Sequence, residues 1–468
     1  MRMAYIRIGM VQNKGMKKER KAVNMITDSP GSALLLFALP MILGNLFQQF
    51  YNIMDSVVVG RFVSEEALAS VGASYSITNV FIAIAIGGGI GSSVVVSQFL
   101  GAKQLGNMKT AISTTLINFL TLSVLLGTLG FLFNEPILAW MNTPENVFAD
   151  ASVYLSIYFV GLPFLFMYNV QAAIFQSLGD SRTPLYLLIF SSLLNIVLDL
   201  LFVIRFHQGV AGVAVATLMA QGLSAVISFT ILLKRLKAYE VTEAFHFYDM
   251  KMMINMMRVA IPSTLQQSIV HIGMLLVQSV VNVFGSAVMA GFAAGTRIES
   301  ICIVPMLAIG NAMSTFTAQN IGAGRPDRVK QGYRYCYAMV GFFAVVICII
   351  MQLWGDLFIR GFLNEGSAET AFQTGMAYVR FISFFFVFIG LKATTDGLLR
   401  GAGDVVVFTI ANLVNLAIRV IVAAVFAPII GVQAVWYAVP MGWAANYIIS
   451  FMRYLTGKWS RVHLISGK

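Results

Sequence analysis

Apolar stretches of about twenty residues recur along the whole chain, divided by short polar interruptions, and each is long enough to cross the roughly 30 Å hydrocarbon core of a bilayer. Twelve spans are predicted, centred near Gly44, Ala83, Thr121, Gly161, Leu193, Gln221, Ser268, Ile301, Ala344, Phe385, Val414 and Tyr447. The polar residues inside them are patterned. On the first span Asn45, Gln48, Asn52 and Asp55 follow at spacings of three, four and three, which lays them along one helical face. Asn195 and Asp199 share a face of the fifth span, and Thr217, Gln221, Ser224 and Ser228 form a stripe on the sixth.

The chain also repeats itself. Ala38-Leu39-Pro40 and Gln98-Phe99-Leu100-Gly101-Ala102 in the first half return as Ala260-Ile261-Pro262 and Gln319-Asn320-Ile321-Gly322-Ala323 in the second, and Ser177-Leu178-Gly179-Asp180 returns as Gly401-Ala402-Gly403-Asp404. A duplicated many-span unit makes two bundles that face one another, with a substrate site between them. The expected fold is an all-α polytopic membrane protein with twelve transmembrane helices in two pseudo-symmetric six-helix lobes around a central cavity. Its divisions are a basic tail (1–30), a first lobe (31–236), a linker (237–250), a second lobe (251–456) and a C-terminal tail (457–468).

Composition agrees with a membrane solvent: 58% of the 468 residues are hydrophobic, only 11% are charged, and mean hydropathy is +0.80. A net charge of +11 raises the question of nucleic acid. Its distribution answers it. Lysine and arginine gather in the N-terminal tail, at Lys103 and Lys109, around the central connection from Lys234 to Arg258, from Arg325 to Arg334, and in the C-terminal tail, whereas the alternate loops carry only Arg61, Arg205 and Arg360. That alternation places both termini in the cytoplasm and points to a lipid bilayer, with no nucleic-acid partner. The first apolar run is too long for a signal-peptide core and reads as an uncleaved span.

In hydrocarbon an ionisable side chain is costly and turns toward an interior cavity. The three stripes of the first half are therefore expected to meet at one oxygen-rich site. Carboxylates, an amide oxygen and a hydroxyl suit a small cation, and the same acids, their pKa raised by burial and by one another, can exchange a proton. The plainer alternatives are that Asp55 caps its helix near outer water and that the serine and threonine stripes are helix contacts. The second half lacks this chemistry: Asp55 falls opposite the neighbourhood of Gln278, Asn195 opposite Arg419, and Asp199 near Ala423.

Other buried charges are Arg297 and Glu299 in the eighth span and Lys392 and Asp396 in the tenth. The last two, one turn apart, are expected to pair, and Glu299 is a candidate contact for a cationic substrate. Prolines at 40, 163, 262, 305 and 440 lie within spans, where they remove a backbone bond and bend the helix. Pro40 and its counterpart Pro262 make the first span a candidate hinge. Gly87-Gly88-Gly89-Ile90-Gly91 has neither the lysine nor the preceding strand of a phosphate loop, and reads as close helix packing. The three cysteines are unpaired in spacing, and the four histidines stand beside no nucleophile, so neither a zinc site nor an enzyme is expected. Twenty-five methionines and 36 phenylalanines offer adaptable surfaces for apolar cations.

The chain resembles the multidrug and toxic compound extrusion (MATE) transporters over residues 30 to 455. The resemblance is carried by Leu39-Pro40, Asn52-Ile53-Met54-Asp55, Val59-Gly60-Arg61, Gln98-x-x-Gly101-Ala102, Gln176-x-x-Gly179-Asp180-x-Arg182-x-Pro184 and Asn195-x-x-x-Asp199. The last spacing looks like the DinF-like branch. This resemblance implies an antiporter of the bacterial plasma (inner) membrane, with two lobes around a V-shaped cavity, that exports small organic cations in exchange for H+ or Na+ and needs no cofactor. It implies a cation site of Asp55, Asn195, Asp199 and Thr217, which are the metal ligands if the ion is sodium, and cavity or network roles for Gln48, Tyr51, Tyr154 and Asn169. A monomer is expected. The competing reading is a flippase for lipid-linked precursors, whose cavity should be rich in arginine and lysine.

Overall fold

The structure, a computed structural model, describes residues 23–241, 245–363, 369–462 and 464–465, apart from the side chains of Asp55, Ser56, Val57, Arg61, Glu65 and Leu68. Its described residues are helical almost throughout. The first lobe comprises α1 (Pro30–Phe62), α2 (Glu65–Gly101), α3 (Leu105–Leu132), α4 (Glu145–Ser177), α5 (Arg182–Leu200) and α6 (Gly209–Lys237). The second comprises α7 (Met250–Val281), α8a (Ser286–Cys302) with α8b (Val304–Gly322), α9 (Pro326–Phe362), α10a (Glu369–Ser383) with α10b (Phe386–Ala402), α11 (Val405–Ile430) and α12 (Gln433–Leu455). The connection from α6 to α7 lies on α3, where the His246 and Asp249 amides donate to Thr110 and Thr114 and Lys109 donates to the Tyr239 carbonyl.

Among the described residues ten helices are long and apolar enough to cross a membrane, or up to eleven when the bent α10 pair is taken as one span. The expected twelfth, α12, has 23 residues but is less apolar, because Gln433, Trp436, Tyr437, Asn446 and Tyr447 interrupt it. It is sheltered by packing on α11. Two expected spans are broken at their middles. The eighth interrupts at Ile303, where Pro305 cannot supply an amide to the preceding turn. The tenth bends by 53° at Phe384 and Phe385 with no proline to announce it. Helices α2 and α4, their first-lobe counterparts, run on unbroken.

The lobes meet along α2, α7, α8b and α1. A side chain at Gly87 would stand 2.5 Å from the Thr264 Cα, and one at Gly91 only 2.3 Å from the Ala260 Cα, so the small residues predicted to allow close approach seat α7 against α2. Two turns further on, the repeats interlock. Gln98 of α2 donates to the Gly401 carbonyl at 3.1 Å, and its counterpart Gln319 of α8b donates to the Ser177 carbonyl at 2.8 Å. Positions 177 and 401 are themselves counterparts. A Cβ at Gly101 would lie 2.0 Å from the Gln319 carbonyl oxygen, and one at Gly322 would lie 2.0 Å from that of Gln98.

The turns behind this seam are also duplicated. Gly179 and Gly403 adopt φ of +80° and +86°, which favour glycine. Asp180 pairs with Arg235 and Asp404 with Arg453. Both ends of the described residues lie here: the Val23 amide donates to the Gly179 carbonyl, the Met25 carbonyl accepts from Asn320 and Arg328, and Leu464 packs beside Gly403.

At the opposite end the lobes part. From Asn45 to Met54 no residue of α1 is buried, and α7 is buried there only along Ile269, Gly273, Val277 and Val281. The cleft therefore opens away from the seam. Adding a methyl at Gly101 or Gly322 should force the seam apart: overpacking costs about 1–3 kcal/mol, enough to lower the closed population on the order of tenfold. The check is thiol labelling of a cysteine placed at Ser97 in a cysteine-free background, which should rise in Gly101→Ala and Gly322→Ala and stay low in the parent.

Candidate cation site in the first lobe

Helices α1, α5 and α6 come together at the far end of the first lobe, where Val59, Val203 and Val213 form one small apolar cluster with Ala67 and Val210, and Tyr154 packs against it. Helical periodicity puts positions 55, 199 and 217 one turn inward of these three valines, on the same faces. The apolar cluster thus lies between these positions and the far end of the lobe. Asp199 is fully buried and Asn195 is 2% exposed. The Asn195 amide nitrogen donates to the Thr217 hydroxyl at 3.3 Å, while its carbonyl oxygen is buried with no hydrogen-bond partner. The Asp55 side chain lies outside those described; its backbone is helical, one turn before Val59.

Beside Thr217 is a cavity of about 20 Å³, lined also by Tyr154, Tyr158, Gly161, Leu165, Ala214, Leu218 and Gln221. That is room for a water or a bare ion, and far too little for a drug-sized molecule. Immediately after Asp199, α5 ends in a π-helical turn, Leu201–Arg205, which shifts the backbone register of the last turn. Such turns cluster at functional sites. Its counterpart α11 has none and stays α-helical to Ile430.

Of the other expected residues, Gln48 donates to Asn52 at 3.1 Å on the exposed face of α1, with half-buried Tyr51 beside it. Tyr154 is half-buried on α4 beside the small cavity. Asn169 turns back to the Leu165 carbonyl at 2.8 Å on its own helix. Pro40 lies inside α1, which continues through it. Glu299 is buried rather than exposed to the cleft, and accepts from the Tyr378 hydroxyl at 2.5 Å.

Comparison with known proteins follows from this duplicated helical plan. A protein-family model described as MatE matches the chain twice, over residues 40–201 and 262–425. The chain belongs to the MATE family. It is therefore a multi-pass membrane transporter of small molecules and not an enzyme. It is 30% identical over 437 residues to the probable multidrug resistance protein YpnP of Bacillus subtilis, covering 93% of this chain and 97% of that one. It is 26% identical to an FAD transporter of Shewanella oneidensis, over 64% of this chain and 67% of that one. Among solved structures, an outward-facing conformation of a multidrug resistance MATE family transporter of the MOP superfamily has a TM-score of 0.88 at 23% identity, covering 95% of this chain and all of that one. The last likeness concerns the fold.

The second lobe of this MATE protein carries a polar network that the sequence foretold only in part. Lys392 and Asp396 pair at 3.1 Å, as their spacing predicts, and Asp396 also accepts from Asn412 and Ser450 at 3.1 and 3.0 Å. Tyr378 and Arg400 went unmarked. Arg400 stands one residue before the repeated turn, where a basic residue reads as an interfacial charge; it is buried and donates to Asn311, Ser314 and Gln266. The buried Lys392–Asp396 pair should be structural. Lys392→Met alone should cost about 3–5 kcal/mol by stranding the carboxylate, and Lys392→Met with Asp396→Leu should regain most of it. Melting of the detergent-solubilised protein checks this.

Proposed function

We propose that the protein is a secondary active antiporter of the bacterial inner membrane, both termini cytoplasmic, that exports organic cations and drugs in exchange for inward H+ or Na+. Multidrug export is taken from the relatives: YpnP, at 30% identity, is named as a probable multidrug resistance protein. The observation that carries the coupling is the buried, partnerless Asn195 carbonyl oxygen one turn from the fully buried Asp199, next to the Thr217 hydroxyl. A buried asparagine oxygen left without a donor, close to a buried carboxylic acid, is satisfied by a sodium ion or by a proton carried on the acid. Asp55, Asn195, Asp199 and Thr217 would be the ligands in the sodium case. One chain supplies them all, so a monomer suffices.

In the cycle the cleft first faces outward with drug bound while Asp55 and Asp199 are charged. A proton or sodium ion then takes the acidic site, α1 bends near Pro40, and the drug leaves. Return requires the seam at Gln98 and Gln319 to part. Lysine and arginine gather at the seam end, which supports its cytoplasmic placement. Flipping of lipid-linked precursors is not favoured, because the first-lobe candidates are acidic and relatives such as YpnP are named as multidrug proteins.

Dye efflux from proteoliposomes under separately imposed proton and sodium gradients tests the reading. Asp55→Asn and Asp199→Asn should each fall to the level of empty liposomes while reaching the membrane normally, and the effective gradient names the ion. Undiminished efflux by Asp199→Asn would remove the mechanism. The FAD transporter relative supplies the contrasting probe: uptake of that anionic flavin nucleotide without dye efflux would reassign the substrate class.

A further inference from the structure

The two lobes can be compared position by position, because counterparts keep one spacing across the region. The repeated turns hold Asp180 and Asp404, and α6 and α12 begin at Gly209 and Gln433, each pair the same distance apart in sequence. The two family matches end at 201 and 425, with that spacing again. On this register Tyr154 corresponds to Tyr378, Asn195 to Arg419, Asp199 to Ala423 and Leu218 to Gly442.

The correspondence marks a change of charge at one place. In the first lobe Asn195 presents an unpartnered oxygen, and Leu218 and Tyr154 line the small cavity nearby. In the second lobe a guanidinium stem takes the equivalent position. A side chain at Gly442 would lie 2.9 Å from the Arg419 Cγ and 2.3 Å from the Asn415 Oδ1, so α12 carries glycine where the arginine stem passes. Tyr378, the counterpart of Tyr154, donates to the buried Glu299, and Arg419 lies within electrostatic range of both. The Tyr378 ring also packs edge-on against Trp436 of α12 at 6.1 Å. Glu299 is thus a buried acid whose neighbouring positive charge is covalently attached.

We propose that Arg419 is a tethered cation standing in the second lobe's version of the ion site, so that this lobe takes up no coupling ion and the transporter exchanges ions through its first lobe alone. The proposal deepens the antiport reading and rests on it for the first-lobe site. It accounts for three features together: loss of the asparagine and the aspartate at 419 and 423, retention of the tyrosine at 378, and the glycine at 442. A mobile ion can leave when the lobe changes shape. A guanidinium on a fixed stem cannot, so the second lobe keeps its charge balance throughout the cycle.

The test counts bound cations on the purified full-length protein, by calorimetric titration with sodium chloride and by proton uptake in weakly buffered solution. Arg419→Met should bind one cation more than wild type, and Glu299→Gln added to it should remove the extra one. Arg419→Lys, which keeps a tethered charge, should match wild type. A folded Arg419→Met with the wild-type count would overturn the proposal. If that variant does not fold, Glu299→Gln alone decides: an unchanged count supports the proposal, and loss of a cation refutes it. Asp199→Asn separates the two readings. If it leaves the wild-type count intact the first-lobe assignment fails, whereas the increment from Arg419→Met reports on the second lobe independently.

Discussion

The lobes are joined where two glycines let backbone touch backbone. Gly101 faces the Gln319 carbonyl and Gly322 faces that of Gln98, and each glutamine side chain reaches over to a carbonyl of the opposite repeat's turn. A larger residue at either glycine would hold the helices apart and leave buried amides without acceptors, at about 1–3 kcal/mol for each group left unmade. Because this contact is reciprocal, the two halves meet with matching geometry at one end. The far halves of α1 and α7 are then free to diverge. The cleft follows from that constraint.

A symmetric hinge region carries asymmetric chemistry. The first lobe buries Asp199 under a valine lid, beside an asparagine oxygen in need of a donor or an ion, and relaxes its fifth helix into a π-turn at that level. The second lobe has Arg419 at the position that corresponds to Asn195 and keeps a regular helix there. Duplication supplied the same scaffold twice, with different polar residues at a few inward positions of the two copies.

Much of this was legible in the residues. The repeats located the seam because interlocking positions are the same in both copies, and helical spacing placed Asn195 and Thr217 within reach since each stripe faces one way only. The break of the eighth span was signalled by Pro305. The bend at Phe384 and Phe385 was not, because no residue type there forbids a helix; it depends on packing between α10 and its neighbours. The π-turn after Asp199 is equally silent, being a choice of register that Leu201 to Arg205 do not encode by type. The burial of Glu299 was expected, but its partner escaped for a similar reason: Tyr378 lies two helices away, and a tyrosine on an apolar span looks like ordinary core.

The account's central claim is that a cation entering the first lobe moves α1 relative to the other lobe. Electron–electron distance measurements between spin labels at Phe62 and Val283, on the far ends of α1 and α7, test it most directly. The distance distribution should shift on adding sodium or on acidification in the parent protein, and should not respond in Asp199→Asn. An equal shift in that variant would contradict the account.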